Sequence, residues 1–238
     1  DDYAIFTHNV VALTDRLDLT IGARLTHNKK SVDVTGTNEN PACDVAQQQG
    51  GGLDVAIFCL AFWDGRFNEA GDSTSRTETE WSGVANLAYQ VTDDANAYLS
   101  YSRGYKSGGF NLDRAGVSTP EDLAFKEETV DAFEAGLKTD FFEGRVRTNI
   151  AAFHQVFKDF QSIQFTGTNF FVFSLPKAKT TGVEVETTVV PLDGLNLTGA
   201  VSYTDARFTD NPGNGIFAGQ DMELAPEWVV FSVVAATL

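Results

Sequence analysis

Short acidic or glycine turns join the alternating segments of this chain at one end, and long polar segments join them at the other. Leu17, Leu19, Ile21, Ala23 and Leu25 share one row, opposite Asp18, Thr20, Gly22, Arg24 and Thr26. Such period-two alternation marks a strand with one buried row. It recurs in Glu78 to Val91, Asn96 to Ser107, Lys126 to Phe141, Ala178 to Val190 and Leu195 to Phe208. Tyr3 to Leu13, Arg145 to Phe160 and Trp228 to Leu238 bring the total to about nine strands. In Arg145 to Phe160 the consecutive Ala151, Ala152 and Phe153 leave room for a bulge. The short turns fall near Asp15, Asp93, Glu143 and Asp193. Between them lie segments of roughly fifty, eighteen, seventeen and nineteen residues, read as residues 28–77, 108–125, 161–177 and 209–227. The third is read as a loop or a strand extension. This order makes an all-β chain of antiparallel up-and-down strands, a meander or barrel.

Alternation alone does not say whether the apolar row meets protein or lipid. Three features select lipid. The strands run about 11–15 residues, against a usual mode of about 5–6 in soluble sheets. Short turns gather at one end and long loops at the other, as in outer-membrane barrels. The polar rows carry Arg24, Glu134, Lys138, Glu184 and Glu186 in mid-strand. A small soluble barrel would bury those charges at high cost, whereas a wet or plugged lumen accepts them. The longest unbroken apolar run, Val55 to Trp63, is far short of the roughly 18–20 residues a spanning helix needs. An open edge in lipid is not viable, so about nine strands are expected to belong to a larger barrel.

Net charge bounds the partners. With 33 acidic and 17 basic residues the chain carries −16, which disfavours nucleic acid. Nineteen phenylalanines against one methionine suit pleated surfaces and interface belts. The chain opens Asp-Asp-Tyr, with no basic or apolar leader, so it is expected to be processed or internal. Cys43 and Cys59 lie in the 28–77 segment. They are either free thiols or a disulfide, and export to an oxidising compartment selects the disulfide.

Ala97-Tyr-Leu-Ser-Tyr-Ser-Arg-Gly-Tyr-Lys-Ser-Gly-Gly-Phe-Asn111 resembles a motif of TonB-dependent outer-membrane receptors. Leu17-Asp-Leu-Thr-Ile-Gly-Ala-Arg-Leu-Thr26 resembles another of their strands. So do Phe125-Lys-Glu-Glu-Thr-Val130 with Phe133-Glu-Ala-Gly-Leu-Lys-Thr-Asp140, then Thr181-Gly-Val-Glu-Val-Glu186, then Ala225-Pro-Glu-Trp228. The resemblance covers nearly the whole chain outside residues 28–77. It implies part of a 22-stranded transmembrane barrel, without the plug domain and TonB box that complete the family's architecture. It further implies ligand capture by outer loops and TonB-driven uptake in the outer membrane of a Gram-negative bacterium. The cargo would be a ferric siderophore, or alternatively cobalamin, haem or a saccharide. Implied partners are the TonB complex, membrane lipid and lipopolysaccharide.

No catalytic residue, metal site or cofactor is expected. His8, His27 and His154 are scattered without ligand spacing, and no Walker, G-x-S-x-G or H-E-x-x-H motif occurs. A lipase- or protease-like barrel would need such a set, and a passive porin or structural barrel is the other alternative. Candidate ligand residues are Tyr105 and Lys106 at the loop-side strand end, with Phe165, Phe170 and Phe171 (and Phe173) in the aromatic segment. For those phenylalanines, packing in a girdle or strand extension is the competing reading. Lys106 falls on the polar row with Glu134, Lys138, Glu184 and Glu186. Tyr101 and Arg103 fall on the other row, at the lipid interface and near lipopolysaccharide phosphates. The stretch 205–215, rich in Asp, Asn and Gly, reads as a solvated loop. The Val55–Trp63 island fits a loop helix, a ligand contact or a partner contact equally.

Overall fold

The computed structural model describes residues 1–34, 45, 48, 72–111, 123–165 and 170–236. Nine long strands form one antiparallel sheet. They are β1 (Asp2–Thr14), β2 (Leu17–Val34), β3 (Asp72–Thr92), β4 (Ala95–Lys106), β7 (Glu128–Phe141), β8 (Val146–Phe165), β9 (Phe170–Leu192), β10 (Leu195–Phe208) and β11 (Trp228–Ala236). A two-residue pair, β5 (Gly109–Phe110) with β6 (Ala124–Phe125), sits between β4 and β7. The spatial order β1-β2-β3-β4-β7-β8-β9-β10-β11 follows the chain order, so every sheet neighbour is a sequence neighbour among long strands. β1 and β11 are the edges, and the sheet is open.

The register aligns the apolar residues in rows. One row runs Leu87–Leu99–Ala135–Ala152–Val183–Tyr203–Trp228. The next, toward the short turns, runs Tyr89–Ala97–Leu137–Ile150–Val185–Val201–Val230. These rows are the exposed ones: Leu99 is 59% accessible, Trp228 64% and Val230 77%. The polar rows between them are mostly half-buried, so the sheet curves with its polar side inward. Buried apolar residues among those described are few: Leu123, Leu175, Ala178, Ala206 and Phe208. A sheet whose apolar face is uncovered and whose polar face is enclosed is inverted relative to a soluble barrel. Lipid is the solvent that matches it.

The structure corrects several boundaries. β2 and β3 stay paired from Asn28↔Glu78 out to Val34↔Asp72, so the 28–77 loop loses residues at both ends. Lys29 to Asp33 and Ser73 to Thr77 are nearly all polar, and pairing there rests on the backbone ladder rather than on apolar alternation. Residues 161–177 are mostly strand: β8 and β9 continue to Phe165↔Phe170. No bulge occurs at Ala151–Phe153, which pair in step with Glu184, Val183 and Gly182. Alanine tolerates either face, and the Phe153 ring lies where a Gly182 Cβ would stand, 2.5 Å away. Instead, a break falls further out, at Asp159 (φ 50°) opposite Pro176. Phe157 and Phe160 therefore both pack with Phe208 and Leu175 on the polar side of the sheet. The stretch 205–215 is not simply solvated. Asn214 is 1% accessible and anchors a 3₁₀ turn, Pro212–Phe217.

Candidate functional site

The loop-side rim of the concave face holds the densest polar network. It is built around Ser107-Gly108-Gly109-Phe110-Asn111, where β4 ends. Lys30 on β2 donates to the Ser107 hydroxyl and to the Gly108 carbonyl, the latter at 2.7 Å. Glu78 on β3 is only 7% accessible and accepts from the Gly108 N–H at 3.0 Å. Arg76 pairs with Glu78 and reaches across to Glu127. Gln161 on β8 donates to the carbonyls of Ser107 (3.1 Å) and Lys126 (2.9 Å). Gly108 is required by space: a Cβ there would stand 2.5 Å from the Phe125 carbonyl oxygen and 2.6 Å from Arg76 Nε. The Phe125 ring lies against Gly109 in the same way.

Two asparagines tie the outer half of β9 to the loops beside it. Asn111 donates to the Val172 carbonyl (3.1 Å) and accepts from the Val172 N–H (2.8 Å). Asn214 does the same at Lys177, donating at 2.9 Å and accepting at 3.3 Å. An amide side chain presents one donor and one acceptor, as a strand residue does. β10 ends at Phe208 opposite Ala178, so these amides supply pairing that β10 no longer provides.

Lower on the concave face, Tyr98 donates to Glu134 at 2.5 Å, and its ring packs over Gly136. Lys138 Nζ sits 5.3 Å from that ring centre. Cross-strand register places Glu134, Lys138, Glu184 and Glu186 on one face, in adjacent rows with Ser100, Tyr98 and Asn149. A shallow depression of about 250 Å³ is lined by Asn86, Asn96, Tyr98, Ser100, Glu134 and Lys138.

The other expected residues are separated. Lys106 pairs in register with Glu128 on the concave side. Tyr105 alternates with it and points away, in the row of Tyr101 and Arg103. Phe171 and Phe173 share a face, ring centres 5.5 Å apart. Phe165 and Phe170 face each other across the hairpin at 5.1 Å, on the opposite side. The phenylalanines thus stand on strands and do not form one cluster. Arg103 is engaged: it binds Asp131 at 3.0 Å and lies 5.0 Å from the Trp81 ring centre, while Tyr101 donates to the same carboxylate at 2.8 Å. Cys43, Cys59 and the Val55–Trp63 island fall outside the described residues. Sequence reasoning missed Glu78, Gln161 and Asn214; for Glu78 the adjacent Gly-Gly turn was the available signal, since bare N–H groups there need an acceptor.

The β-barrel family "TonB dependent receptor-like" matches residues 1–237. The chain belongs to that family. Its exposed apolar rows are the lipid-facing wall of an outer-membrane barrel. Over 147 residues it is 29% identical to the metal-pseudopaline receptor CntO of Pseudomonas aeruginosa, covering 61% of this chain and 19% of that protein. Over 175 residues it is 27% identical to the pesticin receptor of Yersinia pestis, covering 73% and 21%. The chain thus spans about a fifth of the length of these relatives. The ferric yersiniabactin uptake receptor FyuA from Yersinia pestis superposes with a TM-score of 0.75 at 23% identity, covering 100% of this chain and 31% of that one. The siderophore receptor PiuA from Acinetobacter baumannii superposes at 0.65 with 15% identity, covering 96% and 30%. In this TonB-dependent receptor barrel the Ala97–Asn111 motif ends in the clamped rim turn described above.

Proposed function

We propose that this chain forms part of the wall of a receptor that takes up a scarce metal chelate, of the ferric-siderophore type, with energy delivered through TonB. The observation that carries this is the family match over residues 1–237. The curated relatives and solved neighbours named above, receptors for metal-pseudopaline and ferric yersiniabactin among them, support the cargo class. Cobalamin, haem or saccharide remains the alternative cargo. In this reading the barrel makes and breaks no bond, and its partners are the ligand, the TonB complex and outer-membrane lipid.

A passive pore is the competing reading. Against it stands the chemistry of β11, where Val229, Phe231 and Val233 face the concave side. Trp228, Val230 and Val234 face the other way. A strand apolar on both faces suits lipid outside and packed protein inside better than a water-filled channel. Ligand contact is assigned to the rim: Lys106 as the open cation and Phe171 with Phe173 as apolar contacts. Glu134, Lys138, Glu184 and Glu186 are assigned to contacts within the lumen.

The test is uptake of radiolabelled ferric chelates by cells carrying the full-length receptor, with and without TonB. Uptake that requires both the receptor and TonB supports the proposal, and uptake indifferent to loss of TonB overturns it. Charge reversal at Glu184 and Glu186 should reduce uptake, and unchanged uptake removes their assigned role.

A further inference from the structure

Of the asparagines in this chain, only Asn214 is followed by glycine. That step is chemically labile. The Gly215 nitrogen can attack the Asn214 side-chain carbonyl carbon, because glycine puts no Cβ in the way. The structure shows why glycine stands there. Gly215 adopts φ 58° and ψ −129° inside the Pro212–Phe217 turn, a conformation that residues with a Cβ rarely enter. The turn therefore selects the neighbour that leaves Asn214 most reactive.

The same turn holds Asn214 out of reaction. Its side chain donates to the carbonyls of Lys177 at 2.9 Å and Thr209 at 2.8 Å, and accepts from the Lys177 N–H at 3.3 Å. Its own N–H is bonded to the Asn211 carbonyl at 2.8 Å. The Asn211 side chain in turn caps the Gly213 N–H at 2.9 Å. The residue is 1% accessible. Attack needs the amide swung over onto the Gly215 nitrogen, and these side-chain bonds must break together to allow it. Reaction therefore proceeds only through local opening of the turn.

We propose that Asn214–Gly215 is a deamidation site gated by the clamp on β9, and that its product releases the connection between β10 and β11 irreversibly. The Gly215 nitrogen bonds to Cγ of Asn214 and the Cγ–Nδ2 bond breaks. The nitrogen's proton leaves with the amide as ammonia, and a cyclic imide remains. Water then opens the ring at either carbonyl, giving aspartate or isoaspartate. No oxidant and no second protein takes part. A carboxylate accepts hydrogen bonds but donates none. In this pocket it faces the Lys177 and Thr209 carbonyls, and a buried charge so placed is costly. Phe217, which packs edge-on to Phe208 at 5.7 Å, then leaves with the turn. The inference depends neither on the cargo nor on TonB.

The test incubates the full-length receptor at mildly alkaline pH, either folded in detergent or unfolded in denaturant. Heat-modifiable mobility on gels shows that each folded sample is intact. Mass spectrometry of the peptide carrying residue 214 reads the conversion of amide to acid. Folded wild type should convert roughly tenfold or more slowly than the unfolded chain. Asn211→Ala uncaps the turn and keeps the Asn-Gly step. It should convert several-fold faster than wild type when folded, and equally when unfolded. Gly215→Ala also loosens the turn, yet in the unfolded chain it should convert more slowly than wild type, because its Cβ shields the nitrogen. Asn214→Asp stands in for the product. A glutamyl endopeptidase should cut it after Glu223 several-fold faster than wild type. Equal conversion of folded and unfolded wild type overturns the gate. Conversion at Asn214 no faster than at other asparagines of the unfolded chain overturns the site. Cleavage of Asn214→Asp at the wild-type rate overturns the release. Failure of chelate uptake in the preceding experiment would leave these readouts unaffected, so the two readings fail separately.

Discussion

The two ends of the same strands are built differently. At the turn end, connections are two to four residues long, and glycine at positive φ closes two of the four, at Gly144 (φ 85°) and Gly194 (φ 83°). The ion pairs there, such as Arg145 with Asp193, are largely exposed. At the loop end, side chains from β2, β3 and β8 converge on one turn, whose own Asn111 binds the β9 backbone, and the central carboxylate is buried. Local backbone chemistry suffices to reverse a strand. Holding the Ser107–Asn111 turn takes groups brought from far along the chain.

That contrast can be broken first at Glu78. Glu78→Ala removes the acceptor of the Gly108 N–H and leaves Arg76 with Glu127 alone, at a cost of about 2–4 kcal/mol to the rim. Limited tryptic proteolysis of intact receptor should then cut after Lys106, beside the released turn, much faster. Gly108→Val should act next, since the added carbons overlap the Phe125 carbonyl and Arg76, for roughly 1–3 kcal/mol. Asn111→Ala loses one donor and one acceptor to β9 and should cost about 1–2 kcal/mol, read as faster hydrogen exchange at Val172. At the other end, Asp193→Asn disrupts an exposed pair and should change neither proteolysis nor thermal unfolding. An Asp193 effect as large as that of Glu78 would erase the distinction between the ends.

The strands and their order were legible because lipid on one side and a polar interior on the other impose period two for most of their length. The signal failed where that constraint ends. Lys29 to Val34 and Asp72 to Thr77 pair without an apolar row, so hydropathy reads them as loop. Asp159 in a left-handed conformation and Pro176 opposite it break the alternation, which is why Phe160 joins Phe157. The candidate site was less legible. The motif residues Ser107 to Asn111 were visible, but their partners Lys30, Glu78 and Gln161 come from other strands and carry no local pattern. Tyr105 and Lys106 are adjacent in sequence and so face opposite ways, a separation that adjacency in a strand enforces.

The paired amides on β9 have a mechanical consequence. Asn111 belongs to the connection after β4, and Asn214 to the connection after β10, yet both are riveted to the same strand. Displacing the β8–β9 hairpin tip therefore loads both flanking connections at once. Opening fluctuations of the three should be a single cooperative event, so amides of residues 109–111, 172–177 and 212–217 should share one opening free energy in native-state hydrogen exchange. Asn214→Ala would split that unit into two.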